Sequence, residues 1–275
     1  MKEIHNIFAL CVCAYLIYGQ HPLIYSNNPG VIVIRGATIH TGTGTAIQNG
    51  MLISKDSIIV YTGNDDEEIA RKYLSSHNSL LINGKGKHIY PGIIGLGAPA
   101  GLVEIDAVRA TRDIGENETL APEILAYTSY NIDSRVLPTL LTNGILIAGS
   151  TPYGGTISGR ASILFTTGWT KQQALIKKIA WLQIIFPDKP ILYKLPEKER
   201  EENLKKYNER ISHLREIMEA ARAYSLTKNP DVIDPRLEAI APVFTGEIPL
   251  VVYANSKPTI ENAIYFFKGL GVKNI

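Results

Sequence analysis

Cysteine is almost missing from this 275-residue sequence: it holds only Cys11 and Cys13, both in one apolar run near the start. No CxxC pair and no His-rich tract is present, which excludes a structural zinc of the finger or ribbon type. Histidine is scarce too, with His5, His21, His40, His77, His88 and His213 making up the whole set. There is no G-x-S-x-G nucleophile elbow and no H-E-x-x-H metalloprotease helix. Nor does charge of one sign dominate, because 28 basic against 26 acidic residues leave a net +2. That balance provides no field to draw in nucleic acid or an acidic lipid surface, so neither is an expected partner.

The apolar run occupies residues 7–19 (IFALCVCAYLIYG), with Lys2 ahead of it. It is shorter than the roughly 20 residues a membrane-spanning helix needs, and it matches the core of a secretory signal peptide. Cleavage after Gly19 leaves Gln20 as the first residue of an exported chain without a membrane span; an uncleaved N-terminal anchor is the alternative. Neither cysteine follows the small residues of a lipoprotein cleavage site. The mature chain then has no cysteine, and its stability must come from burial rather than disulfides.

What remains is long enough for one large or two modest domains. Residues 31–40 (VIVIRGATIH), 51–63 (MLISKDSIIVYTG) and 79–90 (SLLINGKGKHIY) are β-rich runs, with turns expected at Gly42–Gly44 and Asn49–Gly50. Residues 65–76 (DDEEIARKYLSS) have helical character. Farther on, strand candidates at 88–97, 135–150, 161–168 and 247–254 alternate with helix candidates at 174–186 and 259–270. Such alternation predicts a parallel sheet of β–α units. The clearest helix is 196–226, where Leu204, Tyr207, Ile211, Leu214, Met218 and Ala221 fall on one stripe. Pairs such as Glu202–Lys206 and Glu209–His213 dress the other face. It is either an outer helix on its own domain or a contact for a homo-oligomer.

Three motifs in a fixed order carry a family resemblance. They are Gly36-Ala37-Thr38-Ile39-His40-Thr41-Gly42, Ile58-Ile59-Val60-Tyr61-Thr62-Gly63 and Ile82-Asn83-Gly84-Lys85-Gly86-Lys87-His88-Ile89-Tyr90-Pro91-Gly92. The segment resembles the amidohydrolase superfamily, in particular its imidazolonepropionase-like exported members. The resemblance implies an α/β chain: a small N-terminal β-sandwich portion over residues 20–90, then an incomplete (β/α)8 TIM-type barrel over 91–275. Residues 91–275 fall short of the about 250 that a full barrel takes. The family activity is hydrolysis of non-peptide carbon–nitrogen bonds, and the implied compartment is the periplasm.

The family's metal, zinc or another divalent ion, is held by P-G-[FIL]-[IV]-D-x-H-x-H at the first barrel strand. Here the stretch reads PGIIGLGAPAG, with Gly95 at the acidic position and Gly97 and Pro99 at the histidine positions. A later family histidine falls where this chain has Val251-Val252-Tyr253-Ala254. Glycine and proline have no side-chain donor, and a neutral phenol is a poor ligand. No bound cofactor is therefore expected, no catalytic or substrate-binding residue is assigned, and activity should be impaired or absent. The alternative is a non-catalytic exported binding or scaffold protein that takes a small-molecule ligand. Glu104, Asp106, Arg109, Arg112 and Asp113 either line the barrel mouth or form local salt bridges. Residues 153–159 (YGGTISG) form either an anion cradle of backbone N–H groups or a tight turn.

Overall fold

Alternating apolar side chains make β1 (Val31–Ile39) the centre of a first sheet, with Val31, Val33, Ala37 and Ile39 buried. The structure is a computed structural model that describes residues 30–75, 78–115, 118–190, 193, 196–227 and 232–275. The expected leader lies outside the described residues, as do Cys11, Cys13, His5, His21 and His77. The chain divides into two compact units, Met1–Pro91 and Gly92–Ile275.

In the first unit, β2 (Ile47–Lys55) pairs antiparallel with β1, and β3 (Ile58–Asn64) pairs antiparallel with β2. On the other side of β1, β4 (Ser79–Asn83) and β5 (His88–Ile89) run parallel to it. The β2–β3 hairpin turns at Asp56 and Ser57, both with positive φ, as a two-residue turn of matching twist requires. The turn expected at Asn49–Gly50 is instead part of β2. There Asn49 (φ 48°) absorbs a register shift opposite β1, which a side-chain amide tolerates in the left-handed region. Helix α1 (Glu67–Leu74) is capped by Asp66, whose carboxylate accepts from the Ile69 N–H at 3.0 Å. A cap of this kind contributes about 1 kcal/mol. Its Ala70 packs with Val31, Val33, Met51 and Ile53 to form the unit's core.

The second unit holds a five-stranded sheet in the order β10-β9-β8-β7-β6. Its strands are β6 (Ile93–Ala98), β7 (Ile145–Ser150), β8 (Ile157–Phe165), β9 (Leu175–Ile185) and β10 (Leu250–Tyr253). The pairs β6–β7 and β9–β10 are parallel, whereas β8 is antiparallel to both β7 and β9. The α/β class holds, but the sheet is mixed rather than wholly parallel. Two segments account for the difference. Residues 174–186, expected as a helix, form the central strand β9. Ala180–Ile184 are buried between neighbours on both sides, a setting that suits β-branched and aromatic residues and overrides local periodicity. Residues 136–142, expected as strand, form helix α3 (Val136–Thr142). Pro138 falls in its first turn, where the missing N–H has no helical partner to lose, and Gly144 (φ 83°) follows its end.

The other helices are α2 (Ala126–Ser129), α4 (Lys171–Ala174), α5 (Glu197–Leu226), α6 (Pro235–Thr245) and α7 (Lys257–Gly269). Leu214, Met218 and Ala221 on the α5 stripe are fully buried. They share a core with Leu182 and Ile184 of β9, Ile240 and Val243 of α6, and Phe267 of α7. The C-terminal half of the stripe thus faces inward against its own unit. Tyr130 plugs a second core, and its hydroxyl donates to the Phe165 carbonyl at 3.2 Å. Burial pushes its pKa up to about 12. Gly101 (φ 71°) lets this ring lie flat on the chain, because a Cβ there would fall 2.5 Å from it.

Among the described residues no helix is long and apolar enough to cross a membrane.

Candidate functional site

Sheet direction locates the site. Strands β6, β7, β9 and β10 run one way and β8 runs against them, so the C-terminal ends of four strands share one edge. A cavity of about 500 Å³ opens there. Gly97 of β6 and Pro99 just beyond it form part of the wall, with Thr151 and Tyr153 after β7, Gln183 of β9, and Val252 and Tyr253 of β10. The three positions where the expected metal ligands are replaced therefore converge on one cavity.

Backbone geometry at the first of them differs from a regular strand. The β6–β7 register shifts between Leu96 and Ala98, and Gly97 between them has φ 76°. A Cβ at Gly97 would meet nothing within 4 Å, so the obstacle to a side chain is conformation rather than space.

The remaining wall is mostly apolar and aromatic. Tyr153 and Tyr253 meet edge to face, with centroids 6.1 Å apart. Gln183 is 5% exposed, and its carbonyl oxygen accepts from the Trp181 indole N–H at 3.2 Å. That contact orients the amide nitrogen as the group's remaining donor. Trp181 lies across β7 because Gly149 has no Cβ, which would stand 2.6 Å from the ring.

Of the five charged residues expected near the mouth, Asp106 and Arg112 line the cavity. They also pair with each other at 3.4 Å, at exposures that make the pair worth little. Glu104 instead accepts from Asn131 Nδ2 at 3.0 Å and from the Arg135 N–H at 3.2 Å. Arg109 lies in a 3-10 turn (Arg109–Thr111), and the Asp113 N–H donates to the Leu102 carbonyl. In the glycine-rich 153–159 segment, the Tyr153 N–H is taken by the Ile114 carbonyl, and those of Thr156 and Ile157 by the Thr119 carbonyl. These donors hold a loop closed rather than face an anion. Gly155 (φ 63°) fits against that loop, where a Cβ would sit 2.6 Å from the Thr119 oxygen.

A divalent metal does not fit this donor set. Three protein ligands are the minimum for a catalytic zinc, and Gly97 and Pro99 supply none. Among the described lining residues Asp106 is the one carboxylate, and it pairs with Arg112. Among the described residues no cluster of three or more His, Cys, Asp or Glu could hold a metal. His40 and His88 belong to the first unit, and His213 lines a different cavity against α5. Gln183 and Thr151 were not legible in the sequence as site residues; Gln183 sits in the segment that reads as a helix.

No protein-family model and no curated protein matches the sequence. Among solved structures, an amidohydrolase from Thermotoga maritima MSB8 superposes with a TM-score of 0.73 at 17% identity. The match covers 88% of this chain and 63% of that one, so this chain spans less than two thirds of its length. A prolidase complexed with N-methylphosphonate-L-proline gives a TM-score of 0.39 at 13% identity, covering 88% and 60% of the two chains. An A. niger ochratoxinase gives 0.28 at 20% identity, covering 42% and 24%. Neither of these two bears on the fold. The Thermotoga likeness does, and it shows that this chain has an amidohydrolase-like fold.

Proposed function

We propose that this chain is an amidohydrolase-superfamily protein that binds a small molecule at its strand ends, with hydrolysis of non-peptide carbon–nitrogen bonds impaired or absent. In this reading the second unit is an open portion of a (β/α)8 barrel and the first a β-sandwich portion. One observation carries the functional reading: Gly97, Pro99 and Tyr253 line a single cavity of about 500 Å³ at the strand C-termini. That is where a barrel of this kind does its chemistry, and the volume lies within the range of small-molecule pockets.

Hydrolysis of an amide at neutral pH needs an activated water, which a bound metal supplies by lowering the water's pKa to about 7. The groups present here do something else. Tyr153, Tyr253 and Val252 offer apolar and aromatic contact, while Gln183 offers an amide donor in a position fixed by Trp181. These suit a small, largely apolar ligand with a carbonyl acceptor. Titration with hydantoin and 2-pyrrolidinone is expected to give saturable quenching of tryptophan fluorescence, with no zinc-dependent turnover of either. Zinc-dependent ring opening would overturn the impaired-activity reading, and an unchanged spectrum throughout would overturn the binding one.

Export is part of the same proposal. It is supported by the apolar run at residues 7–19 with Lys2 ahead of it. Mass spectrometry of the protein recovered from a secreting host is expected to give a chain starting near Gln20, in the periplasm of a Gram-negative host. Recovery of intact Met1 would refute it.

A further inference from the structure

The middle of α5 borders a cleft that the reading above does not use. A cavity of about 520 Å³ lies between that helix and the segments at Thr119 and Thr156. It shares no lining residue with the strand-end cavity. Helix α5 contributes Lys206, Arg210, His213 and Glu216, whose spacing of three or four residues puts them on one face. Charge on this face is only partly satisfied by neighbours. Lys206 pairs with Glu202 at 2.7 Å, and Glu209, the other carboxylate of the cleft, lies 4.0 Å from Lys205. Arg210 and Glu216 have no ion pair among the described residues. In the opposite wall Thr156 is 6% exposed. Its N–H donates to the Thr119 carbonyl at 2.6 Å and its carbonyl accepts from the Ile185 N–H at 2.9 Å. Its hydroxyl has no hydrogen-bond partner among the described residues. A polar group on a buried residue is costly to leave unpaired, so this wall calls for a polar occupant.

We infer that this cleft binds a short peptide, two or three residues long, by its two charged ends. Charge sign and spacing together give the class. Six residues of α-helix set Arg210 and Glu216 about 9 Å apart along the axis. A single amino acid is too short to bridge them, whereas an extended chain of three residues spans about 10 Å. The planar guanidinium of Arg210 takes the terminal carboxylate through two N–H groups, and the Glu216 carboxylate accepts from the terminal ammonium. Between these ends the peptide backbone meets His213 and the Thr156 hydroxyl, each able to donate or accept. A simple anion suits the cleft less well, because Lys206 and Arg210 are offset there by Glu209 and Glu216. The cleft does not depend on the function proposed above.

Calorimetric titration of the full chain with trialanine tests this, beside N-acetyl-trialanine and trialanine amide, which each lack one charged end. One saturable site for trialanine is expected. Blocking either end should weaken binding about tenfold, as for the loss of one charge-assisted contact. Arg210→Gln should weaken trialanine about tenfold and leave the affinity of the amide unchanged. Glu216→Gln should weaken trialanine equally and leave that of the acetylated peptide unchanged. Lys268→Gln on α7, outside the cleft, should alter nothing. Arg210 and Glu216 are exposed on α5, so unchanged far-UV circular dichroism is expected and confirms folding. No saturable binding of trialanine, binding that neither variant alters, or equal losses for charged and blocked peptides would overturn the inference.

Discussion

Phe267→Ala is expected to lower the unfolding free energy by about 3–5 kcal/mol, the range for deleting a buried aromatic ring from a close-packed core. Phe267 is fully buried. Its ring meets Phe186 at 5.8 Å and Phe266 at 5.0 Å, both edge to face. Such pairs add about 0.5–1.5 kcal/mol beyond area burial. The surrounding core joins β9, β10, α5, α6 and α7, so the vacated space has many rigid walls and little freedom to collapse. The loss should reach the site as well. Helix α7 backs β10, and β10 presents Val252 and Tyr253 to the cavity. Urea unfolding followed by circular dichroism should show a lower midpoint with an unchanged slope. A loss under about 1 kcal/mol would mean that α7 is not seated as described.

The residues that read correctly from sequence are those whose partners are close in the chain or whose pattern is strong. The β1–β4 runs are rich in strand-forming residues, and α5 combines a regular stripe with i,i+4 pairs such as Glu202–Lys206 at 2.7 Å. β9 did not read correctly because its character is non-local. Lys177 and Lys178 interrupt the apolar run as a helix's polar face would. Only pairing with β8 and β10, and the room that Gly149 leaves for Trp181, make the segment a strand. Gln183 was lost with it. An amide in an apolar run looks incidental until the β9–β10 register sets it opposite Val251, at the strand ends. The substitutions at Gly97, Pro99 and Tyr253 were legible through the resemblance. Their convergence on one cavity was not, because it depends on strand directions across the sheet.

Placing histidines at positions 97 and 99 is expected not to create a metal site. Gly97→His/Pro99→His should take up no stoichiometric zinc and should lose about 1–3 kcal/mol of stability. In a regular strand, side chains at i and i+2 share a face, which is what lets a paired H-x-H converge on one ion. Here the register shift at Gly97 breaks that period, and φ 76° is a conformation that penalises any residue with a Cβ. Beyond the two imidazoles the described cavity lining offers only the phenol of Tyr253 and the exposed carboxylate of Asp106, so a third zinc ligand has no buried, pre-set donor. The backbone at Gly97 thus departs from a regular strand, so histidines at these two positions are not expected to meet on one ion. The measurement is elemental analysis after zinc loading and dialysis. Urea unfolding is followed in parallel. One tightly held zinc per chain at undiminished stability would show that the strand end fits a metal once histidines are supplied.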